Sequence, residues 1–68
     1  MKTKTSIMLG ITSNTARLER EKARAIEAIK SGDYTIAAMA VASAAICAGA
    51  IEELKFQMDA LEIEGDGE

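Results

Sequence analysis

Arg17, Arg20 and Arg24 stand at i, i+3 and i+7, a spacing that brings three guanidinium groups to one side of a helix. The planar guanidinium fork matches phosphate oxygens better than any other side chain. The chemistry open to this set is capture of an anionic group. Lys22 falls four residues after Leu18 and three before Ala25, inside the apolar stripe expected for the same helix. That place directs it toward a hairpin or subunit junction, where it snorkels or meets an anion. Tyr34, the one tyrosine, is available to stack on a base or to pack over the turn beside it. Lys22, Arg17, Arg20, Arg24 and Tyr34 are therefore the candidate ligand-binding residues. The plain alternative for the arginines is a solvated face partly neutralised by Glu21 and Glu27.

Nothing in the chain extends this set to catalysis. There is no histidine, Cys47 is the lone cysteine and sits in an apolar run, and the carboxylates are scattered. Neither a nucleophile–base pair nor a metal-ligand set can be assembled within one chain. The expectation is a protein that is not an enzyme and uses no metal and no cofactor. A free, buried thiol fits a reducing compartment, and the short apolar patch Ile7-Met8-Leu9 does not make a signal peptide. The expected location is the cytoplasm.

The elements that must position these residues are organised by residues 34–51, which contain no charge and no proline. The run is rich in Ala, the best helix former, and its apolar or small residues fall on every face, the mark of a helix surrounded by protein. One partner helix cannot cover it. Sixty-eight residues make one domain at most, below the size at which a single core suffices without staples. With disulfide and zinc excluded, self-association remains. Ala38, Ala42, Ala45 and Gly49 are the candidate oligomer interface, where missing side chains let helices approach closely.

Ser31-Gly32-Asp33 reads as a helix stop followed at once by a helix start, because Gly supplies the left-handed conformation and Asp caps the next turn. The first helix is expected to start at Ser13, Asn14 or Thr15, each able to cap, with Leu18, Ala25, Ile26 and Ile29 as its apolar stripe. After Ile51 the second helix becomes amphipathic, with Leu54, Met58 and Leu61 recurring and Ile7, Met8 and Leu9 placed to cover them. The fold expected is all-α, an antiparallel two-helix hairpin assembling into a homo-oligomeric helical bundle. It divides into an N-terminal arm at 1–13, the hairpin at 14–64 and a disordered acidic tail at 65–68.

Charge is unevenly spread. Residues 1–32 carry seven Lys/Arg and three Glu, and residues 33–68 carry one Lys and eight Asp/Glu. A net charge of -3 weakens any reading as a nonspecific nucleic-acid binder. The 18 uncharged residues of 34–51 approach the length of a membrane span, but they are mostly Ala with Thr and Ser, have no aromatic belt at the far end and continue as an acidic helix. A membrane partner is not expected.

Ala38-Met39-Ala40-Val41-Ala42-Ser43-Ala44-Ala45-Ile46 resembles the second-helix motif of the phage anti-CBASS sponge family, small α-hairpins with an Ala, three residues, then Ala-Asn-Ala-Ala-Ile. Ala38, Ala42, Ala44, Ala45 and Ile46 match, and Ser43 replaces the Asn. The family's proline-containing loop is replaced by Ser31-Gly32-Asp33 and its bulky Trp by Val41. The resemblance implies a homo-oligomer that sequesters a cyclic nucleotide messenger without turnover, an anti-defence role. In length, helical content, small core residues and acidic tail the chain is also similar to plasmid RNA-binding hairpins of the ROP type. That second likeness implies an RNA-binding regulator or, more broadly, an interaction module that inhibits a host protein.

Overall fold

Three residues reverse the chain. Ser31 ends the first helix, Gly32 takes φ 81°, and the Gly32 and Asp33 amides donate to the carbonyls of Ile29 (3.1 Å) and Ala28 (2.8 Å). This pair of bonds satisfies carbonyls that a helix end otherwise leaves free, and it needs a residue without Cβ at the left-handed position. Asp33 then opens the second helix, its carboxylate accepting from the Ile36 amide at 3.1 Å. Gly32 closes one helix and Asp33 caps the next, as their sequence context predicts.

In the computed structural model, which describes residues 3–64, the turn joins α1 (Lys4–Lys30) to α2 (Tyr34–Glu64). The two run antiparallel as a hairpin with principal extents of 52 × 15 × 13 Å. No strand occurs among the described residues. The expected disordered tail at 65–68 lies outside them.

α1 starts ten residues before Asn14, one of its expected caps. Thr3 is the cap: its hydroxyl accepts from the Ser6 amide at 3.1 Å. Asn14, expected as a cap, is interior, and its side-chain amide donates to the Gly10 carbonyl at 2.8 Å. Residues 4–13 are thus helix and not an arm. Thr, Ser and Gly are poor helix formers, but Ile7 gains full burial at 1% exposure, and contact with α2 outweighs local propensity. Ile7 covers α2 as expected, whereas Met8 and Leu9 stay exposed.

The contact between helices follows a period of 3.5, not 3.6. The buried and half-buried positions of α1 are Ile7, Gly10, Ile11, Asn14, Leu18, Glu21, Ala25 and Ala28, and those of α2 include Ala37, Ala40, Ala44, Cys47, Ile51, Leu54, Met58 and Leu61. Alternating steps of three and four keep one seam facing its partner along the whole length. The expected stripe of α1 is corrected accordingly: Ile26 and Ile29 are exposed, and Ala28 takes the inner place. Near the turn the seam is all Ala, so backbones approach closely. Ala40 is 0% exposed. Toward the open end Gly10 serves the same purpose, because a Cβ there would stand 3.0 Å from a Leu54 methyl.

The seam makes a direct prediction. Ala40→Leu forces extra methylenes between close-packed helices and is expected to destabilise by about 1–3 kcal/mol. Ala23→Leu, on the exposed side of α1, is expected to stay within about 0.5 kcal/mol. Chemical denaturation followed by circular dichroism at matched protein concentration reads both.

Candidate anion-binding face and uncharged face

The hairpin register sets what lies beside what. With Gly10 against Leu54 and the reversal at Gly32, residues 14–31 of α1 run beside residues 34–51 of α2. The charged part of α1 therefore flanks the uncharged part of α2.

On α1, Arg17, Arg20 and Arg24 are exposed on one side of the helix, as their spacing requires. They are not equivalent. Arg24 is held by Glu21 at 2.8 Å, while Arg17 and Arg20 have no ion-pair partner among the described residues. Glu21 has a side chain only 19% exposed. It occupies the inner seam and reaches out to Arg24, so the charge within the apolar stripe is this carboxylate.

Lys22 is the main correction to the expected set. Its side chain is 62% exposed and lies 3.6 Å from Glu19, an exposed pair of the kind that contributes little. From Leu18 the seam steps by three to Glu21 and then by four to Ala25, which leaves Lys22 one position aside, facing solvent. Tyr34, the first residue of α2, is also exposed and does not pack over the turn. Arg17 and Arg20 are thus exposed guanidinium groups without an ion-pair partner among the described residues, and Lys22 and Tyr34 stand exposed, apart from the seam between the helices.

On α2, the candidate interface residues Ala38, Ala42, Ala45 and Gly49 are all exposed, on the side away from α1. Gly49 has no atom within 4 Å of the place a Cβ would take. Its missing side chain serves no contact inside the hairpin. Around these small residues Met39, Val41 and Ile46 are exposed, Ile46 by 73%. Every exposed residue from Tyr34 to Gly49 is uncharged.

By length and composition α2 is long and apolar enough to cross a membrane: Tyr34–Ile63 contains a window of mean hydropathy 1.8, only 17% of it buried. No cluster of three or more metal-ligating side chains is present among the described residues. Comparison with protein-family models, curated proteins and solved structures gives no match.

Cys47 faces the seam and is buried. Its thiol is therefore expected to react with an aromatic disulfide reagent at least about a hundredfold more slowly in the native protein than in denaturant, because exchange needs access to the sulfur. Equal rates under the two conditions would contradict the seam assignment.

Proposed function

We propose that the chain is a non-enzymatic, self-assembling helical binder of the cytoplasm, whose assembly surface is the outer face of α2. The observation that carries the reading is the uncharged exposed surface of residues 34–49. Contiguous apolar surface of this kind marks an interaction site, and a chain with no disulfide or metal needs further burial to be stable.

Insertion of the folded hairpin into a bilayer fits less well. Residues 17–27 of α1 carry seven charged side chains at the level of the uncharged run, and each one brought to a bilayer centre costs about 2.5–3.5 kcal/mol. The run itself spans about 27 Å at 1.5 Å per residue, and the acidic residues Glu52 and Glu53 follow directly.

The bound species proposed is an anionic nucleotide, held through Arg17 and Arg20 at junctions between copies. A cyclic nucleotide messenger, sequestered without turnover, is the form that the resemblance to the phage sponges favours. A second reading has its own support. Arg17 and Arg20 are exposed with no carboxylate paired to them among the described residues, which suits RNA phosphates as in ROP-type hairpins; a host protein with an acidic surface would meet the same face.

Two measurements separate these readings. Ala42→Glu puts a charge on the outer face of α2 and is expected to weaken association at least about tenfold while the far-ultraviolet spectrum stays helical; unchanged association removes that face as the assembly surface. Calorimetric titration with cyclic di- and trinucleotides is expected to show binding that Arg20→Ala weakens about tenfold or more, the loss of one charge-assisted bond. Lys22→Ala is expected to leave it unchanged. If no nucleotide binds and RNA is retained with steep salt dependence, the second reading replaces the first.

A further inference from the structure

α2 carries two seams, and only one is filled. Opposite the seam that covers α1, the positions Ala38, Ala42, Ala45, Gly49, Glu52, Phe56, Asp59 and Ile63 repeat in steps of four and three, and all are exposed. Phe56 is 70% and Ile63 82% exposed. Six of these eight positions are small or apolar and two are acidic, so the face offers another helix a largely uncharged strip about 38 Å long at 1.5 Å per residue. The residues on it are graded. The half near the turn is Ala, Ala, Ala and Gly, and the open half holds the two large apolar side chains and the two acids.

Resting on the reading that the chain self-assembles through this face, we propose that α2 of one copy packs antiparallel against α2 of a second, with Phe56 of one seated at Ala45 of the other and Ile63 at Ala38. Size selects this direction. Pairing large with small fills the seam at uniform density, whereas a parallel pair opposes Phe56 to Phe56 and leaves Ala opposite Ala.

Charge selects it too. A parallel pair sets Glu52, Glu53, Asp59 and Glu62 beside their own counterparts, and like charges repel. The antiparallel pair lays this acidic segment along the uncharged half of the other α2. Glu52 then stands level with Gly49 of the second copy and Asp59 with Ala42, where small residues leave room for the carboxylates at the seam's edge. The same levels hold the second copy's Arg17 to Arg24 segment, because that segment flanks residues 34–51.

Disulfide trapping tests the register, since a bridge forms only where Cβ atoms come within about 4.5 Å. With Cys47→Ala in all chains, Ala45→Cys and Phe56→Cys are made in separately tagged copies, and Gly49→Cys and Glu52→Cys form a second pair that spares Phe56. Oxidised mixtures of each pair are expected to yield the mixed dimer about tenfold above either variant alone. Self-linking of Ala45→Cys or Gly49→Cys in excess of the mixed product overturns the antiparallel register. So does the absence of every link while light scattering of the parent chain shows an oligomer. Monomer mass of the parent chain overturns the self-assembly beneath it, and with it this proposal.

Discussion

One helix with two apolar sides and one partner is the constraint on which the rest of this molecule depends. α2 buries Ala37, Ala40, Cys47, Ile51 and Leu54 against α1, and the hairpin is complete at that point. It leaves Met39, Val41, Ile46 and Phe56 in water. The hairpin thus leaves apolar surface that α1 does not cover. In the proposed assembly, burial of that face would supply what a disulfide or a metal supplies in other chains of this size.

The two sides of α2 are built differently. The inner seam is closed by fixed features: a helix stop and start within three residues, Gly10 where a Cβ would meet Leu54, and a 3.5-residue repeat shared by both helices. The outer face is exposed and holds Ala, Gly, two large apolar side chains and two acids. α1 contributes little to the exposed apolar surface beside residues 34–51 and carries the charge there. Among the described residues Glu21 pairs with Arg24 and Glu19 with Lys22, and Arg17 and Arg20 have no ion-pair partner.

Much of this was legible in the residues. Gly32 and Asp33 define the turn because Gly best suits a left-handed position and Asp is among the strongest caps, and the absence of charge from 34 to 51 places the second helix. The start of α1 was not legible. Ser13, Asn14 and Thr15 have the chemistry of a cap, and nothing local shows that Ile7 and Gly10 fit against Leu54 and carry the helix back to Thr3. Lys22 was misplaced for a related reason. Leu18 and Ala25 are joined equally well through Lys22 or through Glu21, and only the side on which α2 packs decides for Glu21. The alternation of Ala25 and Ala28 with Ala37 and Ala40 held that information, since only small residues allow such a seam near the turn. Gly49, by contrast, is a helix-interior glycine with nothing inside the hairpin to explain it.

The central claim is that the outer side of α2 is covered by another protein surface of the same kind. Sedimentation equilibrium of the unmodified chain over a wide concentration range tests it without any substitution. The account predicts a mass that is a multiple of 7.2 kDa and falls toward that value only on dilution. A single ideal species of 7.2 kDa, helical and stable at every concentration, would contradict it.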